Sequence, residues 1–467
     1  DEGSSERLML KYYEYLLKIK SFLKKTYGID VLKNIIEFPI KVDSALREYY
    51  ERIAEKINEQ KHVRVKSSYT DRYYIQKIKP FFVNYEVYYE VTFTTANDKT
   101  SKFDRIIAFT KLDISPSYSV KLTISNDIVD VLGKRMPIQI IDEWEISIRP
   151  CELDHFADMF GEHKKIQGVT SEYRELMNFL KQTGFSLVDI VTASDVHYQQ
   201  IKETVTQKAK VTYFFDALDQ SHELVKNNAS GSNVLKYLLY RLNNKILKKQ
   251  YKYGGCALLS NLNLNFGCVP FDRMPFNTSL INHNPKLSDL FDCLDSAGRE
   301  HELFARYIKN NTEMKGQLYT PKAEIKEFDN TDELITRHNN ALYYKHGHRK
   351  IEKFKKHFYI QGYEQDTLQI LEKLKDLSSA GIKNYSSSVD SWLTTAAHPI
   401  DSEEKKEKLR LMFENSHVAL VYGSAGTGKT TLINHVSNFF NDRKKLYLTN
   451  TNPAIDNLKR RVNASNC

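Results

Sequence analysis

A chain of 467 residues has room for roughly two to four domains of about 100–200 residues each, which excludes a peptide or a single small module. Apolar residues make up 41 % and charged residues 27 %, the balance of a globular chain and neither a membrane protein nor a disordered one. The net charge of +9, from 68 basic and 59 acidic residues, permits polyanion binding but is spread over a long chain, so its location decides more than its size.

Near the N-terminus, Leu8, Leu10, Tyr13, Leu16 and Leu17 are interrupted by Lys11, Lys18, Lys20, Lys24 and Lys25. Such a segment is neither a signal peptide nor a membrane span, and no membrane partner is expected. Apolar residues at three- and four-residue spacing predict helices from Glu6 to about Lys25 and from Asp43 to about Gln60. Between Phe81 and Ser147 the period falls to two. Tyr85, Val87, Tyr89, Val91 and Phe93 alternate with polar or smaller neighbours, and β-branched runs follow at Arg105–Phe109, Ser119–Ile124 and Ile138–Ile148. Residues 1–165 are therefore expected to form an α+β accessory domain with an antiparallel sheet. Its Glu86, Glu90, Asp142, Glu143 and Glu145 read as a solvated strand face rather than as metal ligands.

Helical periodicity returns in Ser171–Lys181, Val196–Gln207, Asp219–Val225 and Val234–Lys249, which predicts a mostly helical accessory domain over 166–375. Gly254–Pro285 is a dense set of turn formers around the run Phe271–Phe276 and reads as a structured loop or as a connector packed by its own aromatics. Glu324-Ile325-Lys326, in an apolar-alternating run after Pro321, has the Glu-x-Lys form of a metal-dependent nuclease strand, although Asp295 is its nearest candidate partner and the triplet is unspecific. The most basic window, Tyr343–Tyr359, holds Lys345, Arg349, Lys350, Lys353, Lys355 and Lys356 among Tyr343, Tyr344, Phe354, Phe358 and Tyr359. Cations interleaved with rings suit single-stranded nucleic acid, because cations displace counterions and rings offer stacking faces. A solvated helix face with inward aromatics is the alternative, and His346, His348 and His357 read as part of the basic face. A serine-rich change of composition marks a linker at 376–399.

The five cysteines, Cys151, Cys256, Cys268, Cys293 and Cys467, are odd in number and never spaced as C-x-x-C, so neither a disulfide framework nor a zinc site is signalled, and a reduced, cytoplasmic chain is expected.

Beyond the linker lies the most specific signal. The apolar run His417–Tyr422 has the form of a buried parallel strand, and Gly423-Ser424-Ala425-Gly426-Thr427-Gly428-Lys429-Thr430 follows, then helical spacing through Leu432, Ile433, Val436 and Phe439. This is G-x-x-x-x-G-K-T in strand–loop–helix context. Glycines let backbone N–H groups curl around phosphates, Lys429 reaches the β- and γ-phosphates, and the Thr430 hydroxyl serves Mg²⁺; Thr431 completes the binding segment. ATP and Mg²⁺ are the implied cofactors, with Lys429 and Thr430 as the catalytic residues.

A second apolar strand, Lys445–Leu448, is predicted to end in Thr449-Asn450-Thr451-Asn452-Pro453-Ala454-Ile455-Asp456-Asn457-Leu458. Here the sequence resembles the superfamily 1 helicases, in their UvrD/Rep-like or Upf-like forms, over about residues 400–462. The loop matches their first motif and Thr449–Leu458 looks like their motif Ia. The resemblance implies that Thr451 and Asn452 contact the backbone of single-stranded DNA or RNA. It departs from the family where a glutamine should read adenine, since Glu404 stands at that place and can accept from the adenine amino group but not donate to a ring nitrogen.

The expected architecture is thus an α+β N-terminal region, a mostly helical middle domain and, over 400–467, the beginning of a P-loop α/β (RecA-like) domain. The expected function is that of the N-terminal part of an ATP-dependent superfamily 1 helicase or translocase, with surface for protein partners in the N-terminal region. The chain alone is not expected to hydrolyse ATP efficiently, because the later motor motifs do not follow. The alternative is a regulatory P-loop ATPase acting as a nucleic-acid sensor, with an N-terminal effector such as a nuclease.

Overall fold

Apolar residues at helical spacing between lysines and glutamates give α1 (Glu2–Tyr27) and α2 (Ser44–Glu59). The computed structural model describes residues 2–38, 44–59, 63–64, 71–99, 104–395, 400, 402–424, 426–449, 455, 458, 460 and 462. It is a mixed α+β structure whose sheets are mainly antiparallel. Ile53 and Ala54 of α2 pack on Phe81, Tyr88 and Phe109, while α1 buries Tyr13 and Leu17 beside Ile35, Phe82 and Val87.

After the short β1 (Val63–Arg64), the period-two region becomes β2 (Tyr73–Val83), β3 (Glu86–Thr95), β4 (Ile106–Thr110), β5 (Val120–Val131) and β6 (Lys134–Ile146). The order is β5-β2-β3-β4-β6, and β6 pairs back along β5, so the five strands close into a barrel. Closure needs two non-local joins, Tyr73 opposite Val120 and the parallel pair Phe109 with Ile140. Tyr89, Val91 and Phe93 share one core with Ile75, Ala108, Val120 and Leu122. Tyr88, of opposite parity, is buried as well, because α2 covers that face.

The barrel leads into α3 (Pro150–Ala157), α4 (Ser171–Thr183), α5 (Leu187–Thr192), α6 (Asp195–Thr206), α7 (Tyr213–Lys226), α8 (Ser232–Tyr240) and α9 (Asn244–Gln250). The single helix predicted over Val234–Lys249 is two helices. The chain breaks after Tyr240, and the Asn243 side chain accepts the Lys245 N–H at 3.0 Å to start α9. One hydrophobic core joins Tyr118, Ile146 and Ile148 at the barrel to residues as far as Leu294, so packing is continuous across position 165, where a domain boundary was expected.

The segment 254–285 contains the end of β7 (Tyr251–Cys256), β8 (Leu262–Leu264) and α10 (Val269–Arg273). Phe271 and Phe276 are fully buried, and the Asp272 carboxylate accepts the Gly231 and Asn233 N–H groups at 2.8 and 3.0 Å, capping α8. Of the two readings of this segment, the packed connector is the one observed. There follow α11 (Leu287–Phe291), α12 (Glu300–Lys315), β9 (Thr320–Pro321), α13 (Thr331–Ala341), β10 (Ile351–Phe354), β11 (His357–Ile360), α14 (Gln361–Ser378), α15 (Tyr385–Thr395), α16 (Glu403–Leu411) and α17 (Lys429–Phe439).

The chain divides into two units, 1–307 with 328–345, and 308–327 with 346–467. These divisions differ from the expected ones at 165, 375 and 399. In the first unit, Phe328 lies 5.5 Å from Phe304 and 6.3 Å from Tyr307 between ring centroids. In the second, β9 pairs with β11, which pairs with β10. The expected linker 376–399 is structured where it is described: α14 runs to Ser378 and α15 buries Tyr385 and Val389. Gly381 lies so close to Glu414 that an added Cβ would overlap the Glu414 carbonyl. Among the described residues no helix is long and apolar enough to cross a membrane.

Candidate nucleotide site and basic surfaces

Glycines set the shape of the loop before α17. Gly426 and Gly428 adopt φ of +84° and +82°, left-handed values that cost a side-chain-bearing residue energy, and Gly428 is the N-cap of α17. No side chain caps that helix, so the N–H groups of its first turn have no side-chain acceptor and its positive end faces the loop. The Lys429 ammonium donates to the Gly423 and Ser424 carbonyls at 2.7 and 2.6 Å, which holds the positive charge against the loop. The Thr427 hydroxyl donates to Ser424 C=O at 2.9 Å. Thr430 is half-buried on the first turn and Thr431 is exposed, while Ala425 lies outside the described residues. Orphan N–H groups, a helix N-terminus and a lysine converging on one loop are the elements of a polyphosphate cradle. The residues present fit ATP: the loop and Lys429 would hold its phosphates, and the Thr430 hydroxyl would ligate Mg²⁺.

The α16 helix adds a second cation that the motif does not reveal. The Lys405 ammonium stands 3.5 Å from where a Cβ on Gly428 would be. Glu404 is exposed and paired to Lys408 at 2.5 Å. Lys405→Ala is expected to weaken ATP binding by the chain roughly three- to tenfold, the size of one solvated charge contact. A titration with fluorescent nucleotide reads this directly, and wild-type affinity in the variant would remove Lys405 from the site.

The apolar runs expected as buried strands on either side of α17 are not in a sheet. Residues 417–424 and 444–449 carry no strand ladder among the described residues. Leu420, Tyr422, Leu446 and Leu448 are 82, 93, 83 and 81 % exposed. The parallel sheet expected of a P-loop domain is therefore not formed by the described residues. Thr451 and Asn452 lie outside the described residues.

The basic window at 343–359 is not one helix face, and its residues fall on both sides of the division at 345. Lys345 belongs to the first unit, where its ammonium lies 5.6 Å from the Tyr344 ring centre. In the second unit the remainder forms a 3₁₀ turn and then the β10–β11 hairpin, in which Phe354 pairs with His357 across Lys355 and Lys356. Lys355 takes φ +54°, and Lys353, Lys355 and Lys356 are exposed around the exposed Phe354 ring. Lys350 is exposed too, whereas Arg349 is half-buried and burial lowers its pKa. His346 does not join a basic face: burial, then Arg349 and His348, push its pKa down to about 4, leaving it neutral at pH 7.

Elsewhere, two of the sheet's carboxylates have lysine partners. Glu86 is held below the usual range by Lys111 at 2.8 Å, and Glu145 pairs with Lys121 at 3.2 Å. Glu324 is in a 3₁₀ turn, not a strand, and accepts from Gln317 at 3.1 Å, so the nuclease-strand geometry is not observed. No group of three His, Cys, Asp or Glu side chains among the described residues is arranged to hold a metal. A cavity of about 1120 Å³ beside α1 and the barrel is lined by Lys18, Lys25, Lys111, Asp113, Asp142 and Glu143 among others; Lys18 is ion-paired to Glu14 and Asp113, and Lys111 to Glu86. The described cysteines are free thiols, and burial pushes Cys268 and Cys293 up to about 12, which leaves them unreactive. A fold alone assigns no function. No family model, curated protein or solved structure matches this chain.

Proposed function

We propose that this protein works as part of an ATP-dependent helicase or translocase of the superfamily 1 type, acting on single-stranded DNA or RNA in the cytoplasm. The observation that carries the reading is the curled loop before α17 with the Lys429 ammonium inside it and the Thr430 hydroxyl on the first helical turn. Thr430 would help hold Mg²⁺, which would supply charge neutralisation at the phosphates, and Lys429 would hold the β- and γ-phosphates. Thr451 and Asn452 would hold the strand at motif Ia, and the hairpin lysines would add phosphate contacts.

The test is ATP–Mg²⁺ binding, followed by strand-stimulated hydrolysis and directional unwinding. Absence of nucleotide binding sinks the proposal, and nucleotide binding that no strand stimulates to turnover would remove the motor. Charge reversal at Lys353, Lys355 and Lys356 is expected to reduce single-strand affinity and to lower the salt-dependence slope by about 2, near 0.7 per phosphate contact. An unchanged slope removes the hairpin from the interface.

A further inference from the structure

From Leu224 to Phe271 the chain contains no acidic residue, while Lys226, Lys236, Arg241, Lys245, Lys248, Lys249 and Lys252 all fall in that stretch. The fold sorts these cations. In α9, Asn244, Leu247 and Gln250 are buried, whereas Lys245, Lys248 and Lys249, at i, i+3 and i+4, are exposed on the opposite face. The chain then turns directly into β7, where Lys252 is exposed and Tyr253 is 88 % exposed. Tyr251 packs edge-on against Tyr253 with centroids 5.4 Å apart.

The corner between helix and strand is pinned from below. The Asn265 side-chain amide donates to the Lys249 and Tyr251 carbonyls at 3.0 and 3.1 Å, and its backbone N–H donates to Gln250 C=O at 2.7 Å. Gly255 then lets β7 approach β8 so closely that a Cβ there would stand 2.5 Å from the Asn261 carbonyl. The surface is therefore pre-ordered, and binding to it costs little conformational entropy. Nearby acids are already engaged: Asp98 pairs with Arg149 and Lys248, each at 2.9 Å, and Asp158 with His163 at 3.0 Å.

We propose that the α9–β7 corner, through Lys249, Lys252 and Tyr253, binds single-stranded nucleic acid, with lysines on the phosphates and Tyr253 stacked on an unpaired base. A duplex offers the same phosphates but hides its base faces, so the projecting tyrosine favours a single strand. This rests on the nucleic-acid part of the function proposed above and is independent of the phosphate loop, so the measurement is made without nucleotide.

The experiment titrates the whole chain with labelled oligo(dT) and with a duplex of equal length over a range of salt. Lys249→Glu with Lys252→Glu is expected to weaken single-strand binding and to reduce the salt slope by about 1.4 for two phosphate contacts. Tyr253→Ala is expected to lower single-strand affinity about 5- to 150-fold and leave duplex affinity unchanged, while Tyr253→Phe retains binding. Wild-type affinity in both the charge variant and Tyr253→Ala overturns the proposal, as does equal loss on single strand and duplex in Tyr253→Ala. So does an affinity of the corner for phosphatidylserine vesicles in place of oligonucleotide. If only the hairpin variants lose affinity, this inference falls and the broader function stands; if the wild-type chain binds no oligonucleotide, both fall.

Discussion

If the proposed nucleotide site is right, Lys429→Ala is expected to lower the affinity of the chain for ATP–Mg²⁺ by about 10- to 150-fold, the worth of hydrogen bonds to a charged group, about 1.5–3 kcal/mol. The ammonium sits within the loop on two carbonyls, so its removal takes away the cation nearest the expected phosphates and leaves the loop's glycines in place. The folded state is expected to be little affected, because among the described residues the Lys429 ammonium bonds to its own loop. Lys429→Arg is expected to restore charge but not affinity, since a planar guanidinium does not fit where a compact ammonium does. Nucleotide titration alongside thermal unfolding separates the two effects. Equal ATP affinity in wild type and Lys429→Ala would remove the basis for a nucleotide site.

The second large effect concerns stability. Glu172 is buried on α4, and its carboxylate accepts the Phe214 and Phe215 N–H groups at 3.0 and 2.8 Å, capping the start of α7. Burial raises its pKa to about 7 in spite of those bonds. Glu152 and Glu302, also buried, are raised to about 7 for the same reason. Each folded-state value lies above the unfolded one, so the folded chain holds extra protons between the two. The contribution to stability is full below the ordinary glutamate range and is lost as pH rises through about 7.

Glu172→Ala is expected to cost about 3 kcal/mol at pH 5, because two buried N–H groups lose their acceptor and a cavity remains. Glu172→Gln keeps an acceptor and cannot ionise. Relative to wild type it should therefore gain on the order of 2 kcal/mol between pH 5 and pH 8. Urea unfolding midpoints at the two pH values decide this, and parallel pH profiles for wild type and Glu172→Gln would show that the carboxylate is not perturbed.

The barrel strands and the glycine turns before α17 were legible in the sequence for different reasons. Period two survives in β3 because Tyr89, Val91 and Phe93 share a core, and the loop's glycines and Lys429 are needed at fixed spacing. Closure of the barrel was not legible, since Tyr73 with Val120 and Phe109 with Ile140 are single long-range pairs with no local mark. The hairpin at Lys355-Lys356 was hidden because a lysine, not Gly or Asn, takes the positive φ that usually announces such a turn. Ala323 and Ile325 mimicked a strand around Glu324, where the chain makes a 3₁₀ turn and buries Ile325 alone. Glu172 and Asp272 gave no signal because their partners are backbone N–H groups, which every residue but proline supplies. Lys405 meets the loop only through the packing of α16 beside α17.

The interleaving of the two units has a consequence for synthesis. At about 5–20 residues per second on the ribosome, roughly 40 residues and several seconds separate residue 307 from the end of the first unit at 345. During that interval Phe304 and Tyr307 await Phe328. β9 has by then been made, but it has no partner until β11 follows. The units are braided in time, and no single cut of the chain yields both of them whole.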